Sequence, residues 1–508
     1  MTPLRKIAAS VIVVCALFSS ACSKDPAADP AAADERLTEI YQKKVLEFSP
    51  CERTSTTQAA SLVSESRCMM YQRPENPDDA NGRQITLQVM VIPSLQSNPA
   101  LDPLVILAGG PGQAATEMAN LGLIFSKIRQ TRDIVLLDQR GTGMLSPMRC
   151  IESPMKLTDM STKNLLQRQL ETISACLGEM QADPRYYTTD IAIQDLESLR
   201  VYLGYQQMNL WGGSYGTRVA LAFLQAYPAS VRTTILDGVA PTAISLPLYI
   251  ERDASRSLES VFDACAAEPS CAGHYPDLRM RFDALSERFK KPQVISVADP
   301  VTGEALTISA DIDWLHGALR SPLYGRVTQR LVPFIIEQAF AGNYAPLLSV
   351  SAINGGINEA MFLSVVCSED VARLNQADFD QERAQPYKLK SQHLNVPVIE
   401  ACKVWPTRTL PDSYFKPVVS DKPVLVFSGA SDPVTPPSWG ESILPGLSNA
   451  QHFIVDGFAH NTLGTRCTVE MITDFIETAD LSALDSSCLS NIKRRPFFIG
   501  TGGSATHD

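Results

Sequence analysis

A serine flanked by glycines, Gly212-Gly213-Ser214-Tyr215-Gly216, stands where an apolar stretch gives way to a helical one. No other feature limits the fold so sharply. Gln207-Met208-Asn209-Leu210-Trp211 before it has the character of a short strand. Thr217 to Leu224 after it reads as a helix with small and apolar residues packed inward. A G-x-S-x-G turn between strand and helix lifts the serine hydroxyl above the end of a sheet. Its glycines admit the strained turn and the close approach of helix to strand. Alone, the pattern also fits an ordinary glycine turn; the strand–turn–helix setting favours a nucleophile.

A serine hydroxyl is weakly nucleophilic at neutral pH and needs a base, with a further group to orient that base. Pro423 to Gly429 is an apolar strand pattern that delivers Asp432 into the loop Gly429-Ala430-Ser431-Asp432-Pro433. His452 to Asp456 reads as another strand and empties into Gly457-Phe458-Ala459-His460-Asn461. Serine, aspartate and histidine in that chain order, the latter two just past strand ends, is the arrangement of an α/β-hydrolase triad. Of the six histidines, His274, His316 and His393 precede Asp432. His452 lies inside a strand pattern and His507 in a polar tail, which leaves His460 as the base. Asp432 is favoured over Asp456, which reads as the last residue of its strand, although an Asp-Pro turn is the bland alternative. An oxyanion hole is also required. The buried strand pattern Leu104 to Ala108 runs into Gly109-Gly110-Pro111-Gly112, where the Gly110 N–H is expected to pair with that of Tyr215.

The segments Ala108-Gly109-Gly110-Pro111-Gly112, Asp138-Gln139-Arg140-Gly141-Thr142-Gly143 and Gly212 to Arg218 together resemble the proline iminopeptidase and tripeptidyl aminopeptidase family of α/β-hydrolases. Tyr187-Thr188-Thr189, Asp195 to Arg200, Cys367-Ser368-Glu369-Asp370 and Gly457-Phe458-Ala459-His460 are similar to that family as well. The similarity runs from about residue 50 to about 495 and is strongest to the larger secreted, tripeptidyl aminopeptidase-like branch. The family's oxyanion motif usually opens with histidine, whereas this chain has Ala108; backbone donors leave hydrolysis intact but substrate orientation open. The resemblance implies peptide substrates cut from the N-terminus. An exopeptidase needs ionised carboxylates to hold a free amine. Glu369 and Asp370 are the expected anchors, with a solvent-facing or helix-capping role as the alternative.

The formal net charge of −11 and the lack of a basic cluster argue against a nucleic-acid partner. Lys493-Arg494-Arg495 is the longest basic run and reads as a solvated C-terminal face. Gly-Gly-Pro-Gly lacks the lysine of a P-loop, and neither cofactor nor metal is expected. Arg5 and Lys6 precede an apolar run, Ile7 to Phe18, too short to span a bilayer, so residues 1–21 read as a signal peptide. Ser19-Ser20-Ala21-Cys22 resembles a bacterial lipobox with Cys22 lipidated, though conventional signal cleavage also fits. Of twelve cysteines, Cys15 leaves with the signal and a lipidated Cys22 leaves an even set for disulfides. These fall into neighbours along the chain: Cys51 and Cys68, Cys150 and Cys176, Cys265 and Cys271, Cys367 and Cys402, Cys467 and Cys488. Zinc is the alternative, but no pair has C-x2-C spacing. The Ala-, Pro- and Asp-rich stretch Asp25 to Asp34 reads as a tether, giving an exported lipoprotein facing the periplasm. Ser23 suits the outer membrane, and the lipid would be the chain's one membrane contact.

Strands are expected at 86–93, 104–108, 133–138, 207–211 and 233–237, mostly alternating with helices, which implies a mainly parallel sheet covered on both faces. About 180 residues then pass before the next sheet strand, far beyond a loop. Helices are read at Ser257 to Ala267, Leu278 to Lys291, Ile312 to Arg320, and from Val327 to Glu337 with a bend at Pro333. The expected organisation is a tether at 22–48, an α/β-hydrolase core at 49–241 and 421–495, a helical lid at 242–420 and a tail at 496–508. The function read from these residues is an exported serine aminopeptidase. A carboxylesterase with the same triad and a non-catalytic surface binding protein are the alternatives.

Overall fold

Successive side chains in Leu104-Val105-Ile106-Leu107 face two different cores. Val105 and Leu107 pack with Val135 and Leu137 on one face; Leu104 and Ile106 pack with Ile134 and Leu136 on the other. The period of two is that of a strand, and burial on both faces explains why these segments are continuous apolar runs rather than alternating ones. A computed structural model describes residues 48–51, 65–148, 162–299, 302–351, 356–390, 396–500 and 502–504. The signal segment, the tether to residue 47, Cys22 and Cys150 lie outside the described residues.

The central sheet has nine strands among the described residues. They are β1 (Ser49–Pro50), β2 (Arg67–Pro74), β3 (Gln84–Ile92), β4 (Ala100–Leu107), β5 (Arg132–Leu137), β6 (Met208–Gly213), β7 (Val231–Asp237), β10 (Val424–Gly429) and β11 (Ala450–Val455). Their order is β1-β2-β3-β5-β4-β6-β7-β10-β11. Pairs from β1 to β5 through β2 and β3 are antiparallel, and β5-β4-β6-β7-β10-β11 is wholly parallel. This is the α/β-hydrolase fold. Helix α1 (Thr189–Leu203) leads into β6, and α2 (Tyr215–Ala226) leaves it.

The segment between β7 and β10 is an insertion in two parts. The earlier part builds a core of its own, in which Leu258, Phe262, Phe282, Leu315 and Ile336 are buried. Its helices include α3 (Ile250–Ala267), α4 (Leu278–Phe289), α5 (Ile312–Arg320) and α6 (Val332–Phe340). The later part joins the main core, where Met361, Leu363, Val365, Trp405 and Tyr414 pack with the buried face of α2.

Three details differ from the sequence reading. The insertion is not purely helical: β8 (Gln293–Ala298) and β9 (Ala305–Ala310) form an antiparallel hairpin. Pro333 lies in the first turn of α6, where its missing N–H costs no bond, so it opens a helix instead of bending one. Residues 496–500 are no free tail, because Phe497 is fully buried in the insertion's core and the Tyr275 hydroxyl donates to the Phe498 carbonyl.

Disulfides join Cys51–Cys68, Cys265–Cys271, Cys367–Cys402 and Cys467–Cys488. Cys176 is also disulfide-bonded. These bonds fit an exported protein, since cytosolic thiols are kept reduced.

Candidate active site

Ser214 joins β6 to α2 with φ 56° and ψ −125°, a conformation that costs a non-glycine residue energy and turns the side chain away from the strand. Two glycines make the turn possible. A Cβ on Gly216 would lie 2.1 Å from the Leu107 carbonyl oxygen, and one on Gly212 would lie 2.4 Å from that of Gly216. The Ser214 carbonyl accepts from Thr217 N and Oγ1, which fixes the first turn of the helix.

Asp432 lies past the end of β10, fully buried. Its Oδ1 accepts the N–H groups of Val434 and Thr435, both at 2.8 Å. Its Oδ2 accepts from Thr435 Oγ1 at 2.8 Å and lies 2.9 Å from Nδ1 of His460. A carboxylate with this many donors only accepts, so Nδ1 carries the proton and Nε2 is left as the free basic nitrogen. Burial works against ionisation of Asp432, but the His460 charge and these hydrogen bonds hold the carboxyl below its usual range. Burial likewise opposes an imidazolium, yet Asp432 and the charge of Asp237 outweigh it and hold His460 above the ordinary histidine value.

The other histidine of this region, His452, bonds Ser428 Oγ at 3.0 Å from within β11, and burial lowers its pKa. Asp456 accepts from the neighbouring Gly457 N–H and so belongs to its own turn.

The loop after β4 lies against the serine: a Cβ on Gly109 would sit 3.4 Å from the Ser214 Cβ. The Gly109 N–H donates to Gln113 Oε1, whereas the Gly110 N–H has no partner among the described residues. Tyr215 opens α2, so its N–H has no carbonyl within the helix to bond. Asp138 accepts from Thr116 N and Oγ1, in the turn that follows the loop after β4. Gln139 donates to the Tyr215 hydroxyl, and buried Arg140 clasps Asp195 through two bonds. The Asp138-Gln139-Arg140 run is therefore framework for the site.

Sequence reasoning assigned no role to Asp237, the last residue of β7. Its carboxylate accepts from Thr462 N and Leu463 N, just beyond His460, while its carbonyl accepts from Ser214 N and Asn461 Nδ2. Burial pushes its pKa up to about 6 despite those bonds. The available signal was an acid at a strand end followed by Gly238, a pattern that recurs at Asp456-Gly457. Tyr324 of the insertion was missed too. Its carbonyl accepts the His460 backbone N–H at 3.0 Å, and its ring meets the imidazole edge-on at 5.6 Å.

Glu369 and Asp370 are placed differently from the sequence expectation. Both have zero exposure, in a π-helical turn (Val366–Asp370) beside α2. Asp370 pairs with both terminal nitrogens of Arg218 at 3.1 Å. Glu369 accepts from Arg218, from Thr189 N and Oγ1, and from the Tyr414 hydroxyl. Against the cost of burial, Asp370, Tyr414 and Glu369 hold the Arg218 guanidinium above its ordinary range. The carboxylates are thus occupied by a cation of the chain itself. The assignment to an incoming ammonium is corrected to a clamp between insertion and α2.

The sheet, the strained serine turn and the Asp432–His460 pair define an α/β-hydrolase, and the chain is an enzyme of that class. The family described as "TAP-like protein" matches residues 388–488. The chain is 23% identical over 483 residues to the serine protease Hip1 of Mycobacterium tuberculosis, covering 87% of this chain and 90% of the relative. It is 21% identical over 431 residues to the tripeptidyl aminopeptidase of Streptomyces lividans, with 77% and 78% covered. It is 30% identical over 147 residues to the proline iminopeptidase of Xylella fastidiosa, covering 28% of this chain and 34% of the relative. The resemblance to the proline iminopeptidase and tripeptidyl aminopeptidase family is thereby borne out, and peptidase activity is supported at family level.

Proposed function

We propose that the chain is an exported serine aminopeptidase in which Ser214 attacks the carbonyl of the substrate's scissile bond. Nε2 of His460 takes the serine proton and returns it to the leaving amine. Asp432 holds the tautomer and offsets the imidazolium charge. The N–H groups of Gly110 and Tyr215 receive the oxyanion, and water then releases the acyl group with His460 again as base. The observation that carries this reading is the 2.9 Å contact between Asp432 and His460 Nδ1, set beside a serine held at positive φ. Cutting from the N-terminus rests on the aminopeptidases among the relatives.

A fluorophosphonate probe should label Ser214; a chain that resists the probe is a binding protein and not a hydrolase. A panel of free-amine peptidyl amides, their N-acetylated forms and short-chain esters then decides the substrate class. Preference for the free amines supports the aminopeptidase. Equal cleavage of N-acetylated peptides removes the exopeptidase reading, and turnover confined to esters leaves the esterase. Lipidation at Cys22 is part of the proposal: Cys22→Ser should move the protein to the soluble fraction with activity intact.

A further inference from the structure

Four arginines from two distant stretches of chain meet where the insertion crosses the C-terminal segment. The Arg326 terminal nitrogen reaches the Lys493 carbonyl, Arg330 Nε donates to the Pro496 carbonyl at 2.7 Å, and Arg494 donates to Gln329 Oε1 at 3.0 Å. Burial, and after it the neighbouring charge of Arg495, depresses the pKa of both Arg326 and Arg330. None of the four makes an ion pair among the described residues. Glu268 and Asp456 are near enough for their charges to act on Arg494, and Glu268 on Arg330, while Glu268 also accepts from Phe497 N and Asp456 from Gly457 N. The chain as a whole carries a net charge of −11, so a concentration of cations is not a by-product of its composition.

The guanidinium planes are held in place. Arg326 stacks over Phe458 at 4.1 Å, Arg330 over Phe498 at 4.6 Å, and Arg494 over Phe497 at 5.6 Å. A stacked guanidinium keeps its in-plane N–H edge for hydrogen bonding, and that edge matches the spacing of phosphate oxygens. Nε of Arg326 is covered by the protein itself and has no hydrogen-bond partner among the described residues, so any ligand would be met by the terminal nitrogens.

We propose that Arg326, Arg330, Arg494 and Arg495 form an anion site for a phosphate group, separate from the hydrolytic centre but sharing the loop that carries His460. The phosphate could be that of a free phosphorylated compound or of an anionic lipid headgroup; the recognition chemistry is the same.

The test uses the full chain, inorganic pyrophosphate by calorimetry, and co-sedimentation with vesicles of phosphatidylglycerol in phosphatidylcholine. Vesicles of phosphatidylcholine alone measure retention by any N-terminal lipid. Wild-type protein should bind pyrophosphate or the anionic vesicles, more weakly as salt is raised. Arg326→Gln should weaken that binding about tenfold or more. Arg495→Glu, at an exposed position that leaves the stacked rings untouched, should do the same with an unchanged melting temperature. Pyrophosphate binding alone identifies a soluble ligand; retention on the anionic vesicles alone identifies a headgroup. Binding of neither, or an Arg495→Glu variant that binds as wild type does, overturns the proposal.

Discussion

The carbonyl oxygen of Asp237 accepts the backbone N–H of Ser214 at 3.0 Å. Through its carboxylate the same residue holds Thr462 and Leu463, so the serine turn and the histidine loop are referenced to one point at the end of β7. An error in that residue would move the proposed nucleophile and base relative to each other.

Asp237→Asn keeps the size but turns an NH2 toward backbone donors. The loop beyond His460 should shift, and kcat should fall roughly 10²-fold, the scale expected for misplacement of about 1 Å. Steady-state kinetics should show the loss mainly in kcat, with fluorophosphonate labelling slowed in parallel. Unchanged labelling would separate Asp237 from the positioning of the base.

Ser214→Ala should abolish turnover in a folded protein, and His460→Ala should cost about 10⁴-fold or more, because the triad acts as a unit. His452→Ala should remain active, since that ring bonds only Ser428 among the described residues. Equal inactivity of the two histidine variants would show the base misassigned.

His460 must be neutral to take the serine proton. Its folded pKa is raised, so the acid limb of kcat/KM should lie above the ordinary histidine value of about 6.5. Activity is present above that limb and is lost as pH falls through it. In Asp432→Asn the residual activity should show the limb moved to lower pH, because the charge that favours the imidazolium is gone. A limb that stays in place would contradict the pairing.

Arg218→Met should destabilise the fold by about 3–5 kcal/mol, since it strands two buried carboxylates. Chemical denaturation reads this directly. The double replacement of Glu369 by Gln and Asp370 by Asn on that background should recover much of the loss.

Replacing Cys367 and Cys402 together by serine should cost about 2–5 kcal/mol. Thermal melting under oxidising conditions should show the drop, and reduction should then have less effect on the variant than on wild type.

The parallel strands were legible because residues buried on both faces make apolar runs, and each run ends at glycine or an acid where the backbone leaves the sheet. The hairpin of β8 and β9 was not. Val294, Ser296 and Ala298 face solvent, and the remaining half-pattern is too short to stand out within a helical insertion. Phe497 was passed over because its partners, such as Phe282 and Leu319, lie far away in sequence. Adjacent acids at Glu369 and Asp370 read as anchors for a substrate amine, or as solvent-facing, until Arg218, distant in the chain, arrives beside them. A buried ion pair of that separation leaves no local trace.

The insertion between β7 and β10 also has a kinetic side. Val424 pairs with Thr234, and that parallel contact cannot form until everything between them has left the ribosome. Contacts of such long range close slowly. In the proposed triad Ser214 is therefore made well before its base, on a sheet that still lacks β10 and β11. On the proposed mechanism, a chain cut short between Ser214 and His460 carries a nucleophile with nothing to activate it, so such fragments should be born inert.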